Sequence, residues 1–194
     1  MTLINNPFVT SGYIAPEYFC DRERETEELF RWLINENNVA IISTRRMGKT
    51  GLIRHCFQLN EIKENYYTFL IDIYATKTLR EFVFQLGKAI LTTLKPKGRK
   101  AWEVFVNSLV SLKAGFSLDM SGMPQWNLEL GDIKSPETTL DEIFHYLAVS
   151  DKPCVVAIDE FQQVAQYPEK NTEALLRTYV QHCNNAHFIF AGSQ

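Results

Sequence analysis

Residues 39–52 read VAIISTRRMGKTGL. Residues 39–42 are an apolar run of strand length, and from Lys49 to position 59 apolar residues recur at helical spacing. Between them, Gly48, Lys49 and Thr50 stand directly after a strand and at the start of a helix, the context in which a loop of the pattern GxxxxGK[ST] cradles phosphate. The residue types explain the chemistry. Backbone N–H groups and the positive helix N-terminus face the anion, Lys49 reaches the β- and γ-oxygens, and the Thr50 hydroxyl ligates magnesium. Gly48 permits close approach of the backbone. The expected nucleotide-binding segment is therefore Ser43, Thr44, Arg45, Arg46, Met47, Gly48, Lys49, Thr50 and Gly51, with Lys49 also catalytic.

One position departs from the pattern. Ser43 stands where glycine normally turns out of the strand, and glycine is needed there only if φ is positive. Serine at negative φ leaves the strand without strain, so nucleotide binding is expected to be weakened at worst. Arg45 and Arg46 can face phosphate, bind a neighbouring element or be solvated.

The loop needs an acidic partner at the end of another strand. Two apolar runs end in aspartate, at residues 68–72 and 154–159. CVVAIDEF, residues 154–161, offers Asp159 to hold magnesium through a water and Glu160 to polarise the attacking water as general base. LIDIY, residues 70–74, offers Asp72 alone, which reads as a strand-end residue capping the turn before the next helix. Side chains alternate along a strand, so Asp159 and Glu160 diverge only if the strand ends there. In FIFAGSQ, residues 188–194, Ser193 reads either as a sensor of the γ-phosphate or its water, or as a cap of a following helix.

Working outward, residues 66–73, 154–158 and 187–191 are further short strands separated by helical segments, which predicts a parallel sheet covered on both faces. Residues 78–94 read as an amphipathic helix with Leu79, Phe82, Val83, Leu86 and Ile90 on one face, stopped by Pro96. A second helix is predicted over 99–112. Phe116, Leu118 and Met120, a Ser-Gly-Met-Pro turn, then Trp126, Leu128 and Leu130 predict a β-hairpin over 113–131, inserted in the core and serving either as a docking edge or as packing on the sheet. Ser135 is expected to cap a helix running from Pro136 to about Ala148. The fold class is thus α/β: a P-loop NTPase three-layer α/β/α sandwich with a mostly parallel sheet and an inserted hairpin. The chain, 1–194, reads as one core domain. An α/β domain is expected to continue past the apolar run at 188–191, so these residues read as a piece of a longer protein.

Composition narrows the function classes. With 45% hydrophobic and 22% charged residues the chain builds one substantial core, and a net charge of −3 argues against a surface built around nucleic-acid phosphates. The basic run at 95–100, KPKGRK, reads as a solvated loop. Cys20, Cys56, Cys154 and Cys183 lack metal-ligand spacing, and His55-Cys56 with His182-Cys183 would have to point adjacent residues at one ion, so reduced, mostly buried thiols are expected. Neither a signal-like start nor a membrane-spanning apolar run is present, which predicts a cytoplasmic protein.

Three pieces in order, YFCDRERETEELF at 18–30, STRRMGKT at 43–50 and VVAIDEF followed by FAGSQ, resemble the archaeal-type AAA ATPases, near the signal-transduction ATPases with numerous domains and the origin-recognition ATPases. The resemblance spans essentially the whole chain. Such proteins begin with an F-x-G-R-x-x-E element near the adenine, which here is Phe19, Cys20, Asp21, Arg22, Glu23, Arg24 and Glu25. Tyr18, Phe19 and Arg22 carry over as nucleotide-side positions; Asp21 replaces the glycine, and the segment also reads as a helix from 22 to 33 capped by Asp21. The resemblance further implies ATP rather than GTP, a helical lid and a winged-helix domain beyond position 194, and an arginine finger from missing residues or a neighbouring subunit in a homo-oligomer. Arg177 is the internal candidate for that finger, though it reads better as a surface arginine. DNA contact is expected only through the absent domains.

Two functions are open on these residues. One is an ATPase whose hydrolysis drives or times a conformational change in attached domains. The other is a nucleotide-gated switch or scaffold with negligible hydrolysis, favoured by Ser43, Asp21 and the expected C-terminal region beyond these residues. A small-molecule kinase fits less well, because Glu160 suits water and no acceptor pocket is visible.

Overall fold

Strands that are apolar on both faces need a helix layer on each side, and the chain supplies them in alternation. The computed structural model describes residues 13, 15, 16, 19, 21–127 and 129–193. Tyr18, Cys20 and Leu128 lie outside the described residues, as does the side chain of Trp126. In order the chain forms α1 (Glu23–Ile34), β1 (Val39–Ser43), α2 (Lys49–Cys56), α3 (Asn60–Asn65), β2 (Tyr67–Asp72), α4 (Leu79–Leu94), α5 (Arg99–Ser108), β3 (Phe116–Leu118), β4 (Pro124–Trp126), α6 (Pro136–Val149), β5 (Cys154–Asp159), α7 (Thr172–His182) and β6 (Ala186–Ser193).

The main sheet runs β1-β6-β5-β2, with every neighbouring pair parallel. Ser43 pairs with Ser193 and Asp72 with Asp159, so the carboxyl ends of all four strands share one edge of the sheet. β6 lies between β1 and β5, which separates the phosphate-loop strand from the acidic strand by one strand width.

Strand side chains alternate between two hydrophobic clusters. Tyr67, Phe69, Ile71, Cys154, Val156, Ile158, Ala186 and Phe188 pack with α4, α5 and α6 on one face. Val155, Ala157, Ile189 and Ala191 pack with α1, α2 and Ile62 of α3 on the other. This is the three-layer α/β/α sandwich that the alternation predicts. Coverage is incomplete at β1, where Val39 and Ile41 pack on the second cluster but Ala40 and Ile42 face outward, Ile42 being 62% exposed.

The predicted face of α4 is buried, including Leu79, Phe82, Val83, Leu86 and Ile90. Its start is capped by Thr78, whose hydroxyl accepts the backbone N–H of Glu81 at 3.2 Å. Elsewhere the boundaries shift. The helix after the phosphate loop ends at Cys56, not 59, because Leu59 is extended; apolar spacing runs on into α3, so periodicity hides the break. α5 stops at Ser108, and a 3-10 stretch, Val110–Gly115, follows.

The hairpin is real but shorter than predicted. Asp119 takes the backbone N–H groups of Ser121 and Met123, each at 2.9 Å, and closes a side-chain turn. Met120 is thereby turned out to solvent, Pro124 enters β4, and Leu130 falls in a 3-10 turn. Ser135 does not cap α6 through its side chain; its hydroxyl meets that of Thr138 at 2.7 Å instead. Asp21 does not cap α1 either, because its carboxylate accepts the N–H of the adjacent Arg22 at 3.0 Å and the helix begins at Glu23. Cys56, Cys154 and Cys183 are free and buried, burial pushing the Cys56 and Cys154 thiols up to about 12.

Truncation of Phe69 on β2, which is fully buried, to alanine is expected to lower the unfolding free energy by about 3–5 kcal/mol. Met120→Ser at the exposed turn should change it by less than about 0.5 kcal/mol. Denaturant titrations of the two variants against the unmodified chain check the contrast.

Candidate functional site

The carboxyl edge of the sheet gathers residues far apart in sequence. β1 ends at Ser43, which is still in ladder with β6 and is not among the residues with positive φ. Serine therefore occupies the first loop position without strain. The loop does need positive φ later, at Arg46 (63°) and at Gly48 (73°), which is the N-cap of α2. Thr44, Arg45, Arg46, Met47 and Gly48 are exposed, whereas Lys49 is buried and Thr50 and Gly51 are half-buried.

The Lys49 ammonium donates to the carbonyls of Ser43 and Thr44, both at 3.3 Å, and to Ser193 Oγ at 2.9 Å. Among the described residues no carboxylate lies within ion-pair distance of it. A buried cation held only by neutral oxygens is costly, and an anion arriving at the loop relieves that cost.

Next to it, Thr50 Oγ1 donates to Asp159 Oδ2, and the backbone N–H of Glu160 donates to Asp159 Oδ1 at 3.0 Å. Among the described residues no group of three or more His, Cys, Asp or Glu side chains could hold a metal alone. A hydroxyl and a carboxylate in contact instead suit magnesium, which keeps waters and takes phosphate oxygens besides one or two protein ligands. Asp72 also lines the cleft beside Thr50 and Asp159, with Arg54 and Lys88 on the same walls. It caps its own turn, accepting the N–H of Tyr74 at 2.9 Å.

Glu160 leaves the strand line, with φ 58° and ψ 38°. Its Oε2 accepts from Gln162 Nε2 at 2.5 Å, so the adjacent carboxylates of Asp159 and Glu160 have separate partners. Asp21, Arg22, Glu36, Arg46 and Glu160 have positive φ, and all but Glu36 border this site. Backbone strain of that kind persists where surrounding structure enforces it. At Asp21, aspartate stands in for glycine because its short side chain tolerates the left-handed region and bonds locally.

The N-terminal element divides between the two ends of the loop. The Arg22 guanidinium lies 3.9 Å from where a Cβ on Gly48 would stand, beside the phosphate loop rather than away from it. Phe19 lies 3.6 Å from the corresponding point on Gly51 and stacks on His55, with centroids 4.3 Å apart. Tyr13 meets both rings edge-on, its hydroxyl 3.3 Å from His55 Nδ1. Desolvation lowers the His55 pKa and favours the neutral ring. His55, Tyr13 and Gln162 are absent from the sequence-predicted set. The one available signal for His55 was its place on the loop helix, and for Gln162 its place two residues after Glu160.

Two positions take an alternative that the sequence left open. The Arg45 guanidinium lies over the Tyr74 ring, 5.7 Å from its centroid, and so ties the loop to the turn after β2. Arg177 is exposed on α7. The basic stretch around Lys97 is solvated, with Arg99 paired to Glu103 at 2.6 Å. Among the described residues no helix is long and apolar enough to cross a membrane.

Residues 19–193 match the family model described as an ATPase domain predominantly from Archaea. No curated protein matches this chain. Among solved structures it is similar to the Walker-type ATPase PABY2304 of Pyrococcus abyssi, with 23% identity, a TM-score of 0.57, and coverage of 96% of this chain and 49% of that one. It is similar also to the ORC2 protein of Aeropyrum pernix in ADPNP–ADP complexes (16% identity, TM-score 0.55, 91% and 42% covered). A third is the ORC1 protein of Aeropyrum pernix in complex with DNA (12%, 0.54, 91% and 40%). At these identities the likeness is one of fold, and the chain spans half or less of each protein's length.

Because Ser43 needs no positive φ, Ser43→Gly should leave ATP affinity within about threefold. Gly48→Ala forces a Cβ into the left-handed region at a cost of roughly 1–2 kcal/mol and should weaken binding at least about fivefold. Calorimetric titration with Mg-ATP reads both; a large loss in Ser43→Gly would contradict the backbone assignment.

Proposed function

The chain belongs to the family of ATPase domains found predominantly in Archaea, and we propose that it binds Mg-ATP on the Lys49 loop and hydrolyses it with Glu160 as general base. The observation that carries this reading is the convergence at one sheet edge of a buried ammonium without an acidic partner among the described residues, a Thr50–Asp159 pair and a separately held Glu160.

The loop amides at the start of α2 receive the phosphates, and Lys49 exchanges its neutral oxygens for β- and γ-phosphate oxygens. Arg22 adds a second cation beside Gly48. Phe19 and His55 offer stacked rings next to Gly51 on the nucleoside side. Thr50 and Asp159 would hold magnesium, which when bound offsets charge on the phosphate oxygens. Glu160 takes a proton from water as the water oxygen attacks the γ-phosphorus, while the bond to the bridging oxygen breaks and its electron pair leaves with ADP. Ser193, already within reach of Lys49, is the γ-phosphate sensor in this scheme. Two of the features that favoured a switch, Ser43 and Asp21, are accommodated by the backbone, which supports hydrolysis over a silent switch.

The solved proteins that the chain resembles carry about as much chain again or more, and the conformational change is proposed to act on attached domains of that kind. Any DNA contact, arginine finger or homo-oligomer contact is proposed to arise there.

Lys49→Ala should abolish measurable Mg-ATP binding, and Glu160→Gln should retain binding within about threefold while lowering phosphate release by at least about a hundredfold, the upper range for loss of a general base. Phosphate release and titration on the same preparations check this. Binding without turnover in the unmodified chain would instead favour the nucleotide-gated switch.

A further inference from the structure

We propose that Gln162 is a positioning residue that holds the Glu160 carboxylate in register with the end of β6, an assignment that rests on the hydrolysis reading above. Gln162 lies in the 3-10 segment Phe161–Gln166 immediately after the acidic pair and is half-buried. Both ends of its amide are used. Nε2 donates to Glu160 Oε2 at 2.5 Å, and Oε1 accepts the backbone N–H of Ser193 at 3.2 Å.

The orientation of this amide is dictated by chemistry. A backbone N–H can face only the carbonyl end, and an ionised carboxylate can face only the NH2 end, so a single placement satisfies both partners. The amide crosses Gly192, where a Cβ would stand 3.1 Å from Gln162 Oε1, and the small residue leaves it that path. Glu160 itself has positive φ and no strand ladder to orient it, so its side chain depends on this bond for direction.

Ser193 is shared. Its hydroxyl accepts from Lys49 at 2.9 Å and its N–H donates to Gln162. The ammonium that meets phosphate and the carboxylate that meets water are therefore tied to the same residue through Lys49, Ser193, Gln162 and Glu160 in sequence. Among the described residues Glu160 Oε1 accepts no hydrogen bond, which leaves that oxygen for the attacking water. In this assignment Gln162 acts through Glu160, the carboxylate its amide nitrogen holds.

The test is single-turnover hydrolysis of Mg-ATP, with ATP affinity measured on the same samples, for Gln162→Met, Gln162→Glu, Glu160→Gln and the Glu160→Gln/Gln162→Met double variant. Methionine keeps the shape without the bonds, and a slightly misaimed base should cost roughly 10- to 100-fold in rate with affinity within about threefold. Glutamate keeps the acceptor for Ser193 but sets like charges against each other, so it should lose at least as much as methionine. If Gln162 works through Glu160, Gln162→Met should cost nothing further on the Glu160→Gln background. Turnover unchanged in Gln162→Met, parallel loss of affinity and rate, or an equal cost on both backgrounds would each overturn the assignment while leaving Glu160 as base. No turnover in the unmodified chain would overturn the hydrolysis reading, and the positioning role with it.

Discussion

The Lys49 ammonium is 6% exposed and is held by two carbonyls and one hydroxyl. Removing a charge from water without an opposite charge costs several kcal/mol even after the surroundings relax. The fold bears that cost because neighbouring parts brace the lysine. α2 begins at Lys49 itself, β1 presents its last carbonyl, and β6 presents Ser193. Each of the three must end at the same level of the sheet, which parallel pairing with Ser43 opposite Ser193 secures. An anion entering the loop meets a cation already stripped of water and already aimed, with little left to reorganise.

The same strand order sets the division of labour beyond the lysine. With β6 between β1 and β5, the residue at the end of β6 stands between the phosphate loop and the acidic pair. Asp159 turns to Thr50 across that gap, while Glu160 leaves the strand in a left-handed conformation and turns to Gln162. Four non-glycine residues in that conformation border the site, each an unfavourable backbone choice by itself.

Local pattern made much of the fold legible. Period-2 and helical apolar spacing found the four sheet strands and the long helices, because each buries a continuous face that leaves its period in the sequence. Boundaries were legible only where a local signal coincided with them, as at Thr78. Caps and turns were missed where a side chain chose a neighbour that spacing does not reveal: Asp119 closing its own turn, Ser135 bonding Thr138, Asp21 bonding Arg22. Apolar periodicity likewise ran unbroken from α2 into α3, although the backbone at Leu59 is extended.

Sequence alone determined the α/β class, the phosphate loop from Ser43 to Gly51, and the pairing of Asp159 with Glu160 as acids at a strand end, since these depend on residue types at short spacing. Tertiary structure decided that Lys49 meets Ser193 across 144 positions and Thr50 meets Asp159 across 109, that Arg22 lies by Gly48, that His55 stacks on Phe19 and that Gln162 bonds Glu160. The physical reason is that strand order in a parallel sheet is set by which faces the helices can cover together, a property of the whole core, and no short stretch of chain encodes which strand will lie beside which.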